Sequence, residues 1–190
     1  MTEPHHAASL SLTSIATRSS CFLCAALREF QNELMKNLKP EECQRFCNTH
    51  GWVMANSAPA ESVAAIFLAA ILDPSWRSAT PVADECDMCK KIRKEKERRL
   101  AEIAKQLHRP VTRSWLQDYG MLCSRHGREV MTRLPESLKK SVEELIARNS
   151  GEIVGILEDF LERLRQGSRA GGGALGRAAE FLIAQRGIES

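Results

Sequence analysis

The 190-residue sequence has few aromatic residues, no long apolar run and an odd number of cysteines. Phe, Trp and Tyr make up 5% of the chain, and the longest apolar run, residues 63–72, is far shorter than the ~20 residues that cross a bilayer. The first residues also lack the apolar stretch of a secretory signal. We therefore expect a cytoplasmic protein with no membrane span, in which residues 1–19 form a disordered leader.

Seven cysteines exclude a disulfide framework that pairs all of them within one chain. In a reducing compartment, cysteines are more often metal ligands or catalytic groups than disulfide halves. Hydrophobic residues at 43% and charged residues at 27% are ordinary values for a globular protein, which excludes a disordered or collagen-like chain. The cysteines are therefore the unusual feature of the composition.

Six of the seven cysteines and two of the five histidines fall into a motif that occurs twice. Each copy has a Cys-x-x-Cys pair, a long helical pattern that ends at a basic residue and a proline, and an apolar residue followed by Cys-x-x-His-Gly. The first copy runs from Cys21 to Gly51, and the second runs from Cys86 to Gly127. Because two side chains three residues apart can reach one ion, this repeat predicts metal ligands.

Each copy supplies three cysteines and one histidine, which together complete the ligand set of a tetrahedral zinc ion. Four protein ligands leave no open coordination position, so we expect two structural zinc ions rather than catalytic ones. The sequential assignment is Cys21, Cys24, Cys47 and His50 for one ion, and Cys86, Cys89, Cys123 and His126 for the other. The spacing also permits interleaved sites, in which the first pair of one copy meets the last pair of the other.

Cys43 is the surplus cysteine, and an iron–sulfur cluster is the chief alternative to zinc. Aligning His50 with His126 places Cys43 opposite Tyr119, so the second copy needs no ligand there. We expect Cys43 to pack in the interior, with a redox role or exchange into the thiolate set as the alternative. Iron–sulfur clusters usually take four cysteines, and the spacings match neither ferredoxin pattern.

The apolar periodicity is helical, and no segment has a convincing strand pattern. The predicted fold is all-α, with two duplicated zinc-pinned helical hairpin modules around a central apolar helix, followed by C-terminal helices. The predicted segments are a first module at 20–56, the central helix at 57–76, a second module at 85–134, a helical hairpin at 135–166 with its turn at 149–151, a Gly-rich linker at 167–173 and a terminal helix at 174–190.

The repeated Cys-x-x-Cys, helical spacer and [Phe/Leu]-Cys-x-x-His, together with the Leu157-Glu158-Asp159-Phe160 segment downstream, resemble an uncharacterised prokaryotic family. Its members are helical proteins, described as a domain of unknown function and expected to bind zinc. The resemblance covers roughly residues 20–165. It implies metal ligation by the eight cysteines and histidines named above, and it implies no activity.

Residues 90–109 contain nine Lys or Arg and three Glu, a local charge of +6 in a chain whose net charge is +3. Such a helix can bind nucleic-acid phosphates in a salt-dependent manner. The alternative is a solvated helix face with glutamates interspersed. The candidate phosphate contacts are Lys90, Lys91, Arg93, Lys94, Arg98 and Arg99.

No nucleophile and general-base pattern stands out, and the Gly-x-Gly-x-x-Gly match at 171–176 follows no predicted strand. We therefore expect a double-zinc binding or regulatory module that has no catalytic activity of its own and a protein as its partner. The alternatives are a redox protein, which uses the Cys/His sets for an iron–sulfur cluster or thiol sensing, and a nucleic-acid-associated protein.

Overall fold

The computed structural model describes residues 21–43, 45–72, 86–167 and 173–183. Those residues contain eight α-helices, one short 3₁₀ helix (Pro40–Glu42) and no strand, which confirms the all-α prediction. None of the described helices is long and apolar enough to cross a membrane. The predicted leader at 1–19 and most of the predicted linker at 167–173 lie outside the described residues.

The α-helices are α1 (Phe22–Lys36), α2 (Asn48–Ser57), α3 (Ala60–Leu72), α4 (Asp87–Leu107), α5 (Pro110–Tyr119), α6 (Ser124–Met131), α7 (Glu136–Arg165) and α8 (Gly173–Ile183). The predicted breaks at the basic residue and proline are confirmed in both copies. Pro40 starts the 3₁₀ helix after α1, and Pro110 starts α5 after α4. Proline suits these first positions because the missing amide would have no helical partner there.

The helices that follow the two Cys-x-x-Cys motifs, α1 and α4, pack against each other in opposite directions. Met35, in the last turn of α1, and Leu38, just after it, lie in one apolar cluster with Cys86 and Cys89, at the start of α4. The last turns of α4 share another cluster with Cys21, at the start of α1. Each end of this helix pair therefore carries one of the Cys-x-x-Cys motifs.

Within the apolar segment predicted as a central helix at 57–76, residues 60–72 form α3 at the edge of the fold instead, and residues 73–76 lie outside the described residues. Val63 and Ile66 are buried, and α3 packs on the 3₁₀ helix and α2. Leu68, Ile71 and Leu72 are 59%, 68% and 69% exposed. The prediction of a central position was wrong because α1 and α4 pack directly on each other and leave no room for a helix between them.

The prediction of a helical hairpin over 135–166 is also wrong, because α7 is one continuous helix through the expected turn at 149–151. Asn149 is 1% exposed, and its side-chain amide donates a 3.2 Å hydrogen bond to the carbonyl oxygen of Leu122. Beside it, Arg148 donates to the carbonyl oxygen of Gly120. These tertiary hydrogen bonds give both side chains partners outside the helix, so the local preference for a turn is overridden.

The terminal helix, α8, folds back on α6 and α7. Ala178 and Phe181 are buried against Met121 and Ile153 in a small apolar cluster. The hydroxyl of Ser124 donates a 3.1 Å hydrogen bond to the carbonyl oxygen of Leu182. The α8 helix therefore covers the start of α6.

Candidate metal centres

Four helices begin directly after the first cysteine of a motif. Cys21 and Cys86 stand at the N-caps of α1 and α4, and Cys47 and Cys123 stand at the N-caps of α2 and α6. The second ligand of each motif follows three residues later, within the first turn of the helix, and so faces the same side. Free backbone amides and the positive end of the helix dipole favour a thiolate at this position.

Two of these caps show direct backbone contacts to sulfur. The amide of Cys89 lies 3.5 Å from Sγ of Cys86, and the amide of His126 lies 3.5 Å from Sγ of Cys123. Both amides belong to the first turn, where they have no carbonyl partner within the helix. The cysteine side chains are therefore held in place by the helix start as well as by their packing.

The first centre, called site 1, joins the starts of α1 and α6 and consists of Cys21, Cys24, Cys123 and His126. His126 Nδ1 lies 3.5 Å from Sγ of Cys21 and 3.3 Å from Sγ of both Cys24 and Cys123. The sulfur atoms of Cys24 and Cys123 are 4.0 Å apart. All four residues are buried.

The second centre, called site 2, joins the starts of α2 and α4 and consists of Cys47, His50, Cys86 and Cys89. His50 Nδ1 lies 3.3 Å from Sγ of Cys47, 3.3 Å from Sγ of Cys89 and 3.5 Å from Sγ of Cys86. The sulfur atoms of Cys47 and Cys89 are 3.8 Å apart. These residues are also buried.

The structure therefore unites all eight candidate ligands, but in the interleaved arrangement. The sequential assignment, which placed Cys21 and Cys24 with Cys47 and His50, does not hold. The cause is the opposed packing of α1 and α4, because it puts the two Cys-x-x-Cys motifs at opposite ends of the helix pair. Each of them then meets the Cys-x-x-His motif of the other half.

The donor spacing fits a single tetrahedral ion. With metal–sulfur bonds of about 2.3 Å and metal–nitrogen bonds of about 2.0–2.1 Å, a tetrahedron has S···S edges of about 3.8 Å and S···N edges of about 3.5 Å. The Cys47–Cys89 and Cys24–Cys123 S···S distances are 3.8 and 4.0 Å, the S···N distances lie between 3.3 and 3.5 Å, and all donor atoms of a site lie within 4.8 Å of one another. Both clusters could therefore hold a metal ion such as zinc.

The protonation of the sites also suits metal ligation. Burial lowers the pKa of His50, which keeps this imidazole in the neutral form that binds metal. In site 1, hydrogen bonds from Cys21 and Cys24, together with His126, hold the pKa of Cys123 well below its usual value. Burial raises the pKa of Cys21. A bound cation would favour the ionised form of all three thiols.

Backbone hydrogen bonds join the two halves beside each site. The amide of Phe22 donates to the carbonyl oxygen of Met121 beside site 1, and the amide of Asp87 donates to the carbonyl oxygen of Arg45 beside site 2, both at 3.0 Å. Beside site 2, a carboxylate oxygen of Asp87 also accepts a 2.9 Å hydrogen bond from the amide of Arg45. Sequence reasoning did not identify Asp87 in this role, although it stands where the other copy has Phe22.

Cys43 lies outside both clusters. It is 1% exposed, and its sulfur lies 3.8 Å from Sδ of Met54 and 4.0 Å from the carbonyl oxygen of Arg45. Burial, with a contribution from Asp87, raises the pKa of Cys43 to about 12, so the side chain remains a neutral thiol. Its surroundings are those expected of a cysteine that packs in the interior.

The basic helix α4 carries several internal ion pairs. Glu95 accepts hydrogen bonds from both Arg98 and Arg99, and the pairing with Arg98 lowers the pKa of Glu95. The Arg99 side chain is only 13% exposed, and Lys90 lies 3.6 Å from Asp87. These pairs reduce the free positive charge, and binding of nucleic acid through residues 90–109 stays a prediction.

Comparison with models of known protein families, with curated proteins and with solved structures finds no match to this chain. The resemblance carried by the repeated motifs is therefore not supported by a match to a family model. The inference about function depends on the geometry of sites 1 and 2.

Proposed function

We propose that this chain is a double-zinc helical protein that serves as a binding or regulatory module and has no catalytic activity of its own. The observation that carries the proposal is the convergence of eight buried donor groups into two separate Cys₃His sets with tetrahedral spacing. Each zinc ion would join the first half of the repeat to the second. The metal would thus act as a cross-link within the core.

The energetic consequence is a strong coupling between zinc binding and folding. Structural zinc sites of this type bind with apparent free energies of roughly 10–16 kcal/mol at neutral pH, and that free energy stabilises the folded state. Three thiolates and one divalent cation leave a net charge of −1 per site, so the ion removes most of the electrostatic cost of burying the thiolates. Both halves must fold together to complete either site.

Closed coordination supports a structural role. Three cysteines and one histidine fill a tetrahedral zinc site, which leaves no position for a water or a substrate. The alternative of an iron–sulfur cluster fits less well, because four donor atoms that all lie within 4.8 Å of one another suit one ion and not a group of several iron and sulfide atoms. A reducing cytoplasm, in which thiols stay available to metal, suits this function.

Elemental analysis with metal removal tests the proposal. Purified protein should contain two zinc ions per chain, and a strong chelator should abolish the helical circular dichroism signal, which added zinc then restores. A protein that carries less than one zinc per chain and stays helical in chelator would contradict the proposal. Iron with visible absorbance in protein prepared without oxygen would support the redox alternative instead.

A further inference from the structure

An open groove of about 480 Å³ lies between α2 and α3. Its walls are formed by Phe46, Cys47, Asn48, Gly51, Trp52, Ala55 and Phe67, which include no Asp, Glu, Lys, Arg or His. Trp52, at the groove, is 68% exposed. On α3, the helix that contributes Phe67, the large side chains Leu68, Ile71 and Leu72 are exposed as well. Exposed large apolar side chains around an open groove are typical of an interaction site.

The second half of the repeat shows what covers the corresponding surface there. Asn48 and Gly51 occupy the same motif positions as Ser124 and Gly127, one and four residues after the ligand cysteine. The Ser124 hydroxyl donates to the carbonyl oxygen of Leu182 on α8. Gly127 lies so close to Ile146 of α7 that an added Cβ would overlap that side chain. The helix at the second Cys-x-x-His motif, α6, is thus covered by α7 and α8, whereas Asn48 and Gly51 at the first motif line an open groove.

The helix α8 shows what kind of helix face covers this surface in the second half. It buries the small residue Ala178 and the bulky residue Phe181, three positions apart, and the covered surface includes Met121 and Ile153. Within the described parts of the chain, the first half has no helix in the position of α8. The repeat therefore presents two related surfaces, of which only the second is covered by α8.

We propose that the groove between α2 and α3 binds an amphipathic helix of a partner protein, with the same residue pattern as the buried face of α8. That pattern is a large apolar residue three or four positions from a small one, with no charge on the contacting face. A groove of 480 Å³ is large enough for a few anchoring side chains. The exposed Trp52 provides the aromatic residue that often contributes most to such an interface.

The occupant is not expected to be α8 of a second copy. Ala178 and Phe181 are only 7% and 6% exposed, so the apolar face of α8 is already used within its own chain. Apart from the candidate ligand Cys47, no side chain in the groove lining is acidic or basic, which favours an apolar helix face over an acidic or basic segment. The proposal rests on the proposed function in one respect, because Cys47 in the groove wall is also a ligand of site 2.

The experiment uses the full-length, zinc-loaded protein and a fluorescein-labelled, helix-stabilised peptide with the sequence of residues 173–183. Fluorescence anisotropy should show saturable binding of this peptide. Gly51→Leu, which places a side chain in the groove, and Trp52→Glu should each weaken binding at least tenfold. The matched control is Leu164→Glu, which charges an exposed leucine of α7 and should leave the affinity unchanged.

Zinc content, measured for every variant, separates this proposal from the one about the metal sites. No saturable binding by protein that holds two zinc ions would overturn the groove proposal while leaving the zinc proposal intact. Binding that neither groove substitution weakens would place the peptide elsewhere and would also overturn the groove proposal. A concentration-dependent dimer that Trp52→Glu dissociates would identify a second copy as the occupant, and binding only after deletion of residues 1–20 would identify the chain itself; either result overturns the proposal.

Discussion

The backbone amide of Phe22 donates a 3.0 Å hydrogen bond to the carbonyl oxygen of Met121, and the same bond recurs at the other end of the fold between Asp87 and Arg45. In both pairs, the donor follows the first cysteine of a Cys-x-x-Cys motif, and the acceptor lies two residues before the cysteine of a Cys-x-x-His motif. The backbone thus follows the interleaved arrangement of the side-chain donors. Each candidate metal site is built from both halves of the repeat.

Replacing Cys43 separates the packing cysteine from the candidate ligands. Cys43→Ala should leave two zinc ions bound, because the sulfur belongs to neither donor cluster. It should lower the free energy of unfolding by about 1 kcal/mol, the typical cost of a core substitution. Cys47→Ala should lose one zinc ion. Elemental analysis and urea unfolding check both variants, and loss of zinc from Cys43→Ala would assign this thiol to a metal site.

The glycines that follow the two candidate histidine ligands should respond differently to alanine. A Cβ at Gly127 would overlap Cδ1 and Cγ1 of Ile146, so that side chain or the helix that carries it must shift, at a cost of about 1–3 kcal/mol in the free energy of unfolding. At Gly51 the nearest atom is Cδ2 of Phe46 at 3.1 Å, on a side chain beside the open groove. Alanine there should be close to neutral, because its higher helix propensity offsets the tight contact.

Urea unfolding of the zinc-loaded variants measures the difference between these glycines. Adding Ile146→Ala to Gly127→Ala should reduce the penalty of the glycine substitution, because the overlapping atoms are gone. If alanine lowered the free energy of unfolding equally at Gly51 and Gly127, that result would contradict the difference in packing between α2 and α6.

Asn149 should stabilise the packing of α7 on the loop that contains Leu122, although the sequence predicts a turn at Asn149. Asn149→Ala removes the donor to the carbonyl oxygen of Leu122 and leaves that buried acceptor unpaired, which costs about 1–3 kcal/mol. The control is the half-buried neighbour Ser150, where alanine should change the free energy of unfolding by less than about 0.5 kcal/mol. Denaturant unfolding measures both, and equal stability of the two variants would contradict the assigned role.

The sequence predicts the local features of this fold well, because they depend on residues close together in the chain. The helical periodicity, the breaks before Pro40 and Pro110, and the helix starts at the cysteine motifs all follow from short-range physical chemistry. The eight candidate ligands were identified from the same local spacing. The surplus character of Cys43 followed from aligning the two copies.

The arrangement of distant segments could not be predicted in the same way. Spacing within a motif does not determine which motif it meets, and the choice here depends on the opposed packing of α1 and α4. The turn expected at 149–151 was wrong because Asn149 finds its hydrogen-bond partner in a loop far away in sequence. The apolar segment of α3 was expected in the centre of the fold, but α3 lies at the edge. The hydropathy of a helix does not determine which other element packs on it.

The most direct test of the interleaved metal sites compares two double variants by zinc content after dialysis against zinc-free buffer. Cys21→Ser with Cys123→Ser removes two donors from site 1, so the protein should retain the zinc ion of site 2. Cys21→Ser with Cys47→Ser removes one donor from each site, so no tightly bound zinc should remain. The reverse result, one zinc in the second variant and none in the first, would contradict the interleaved arrangement.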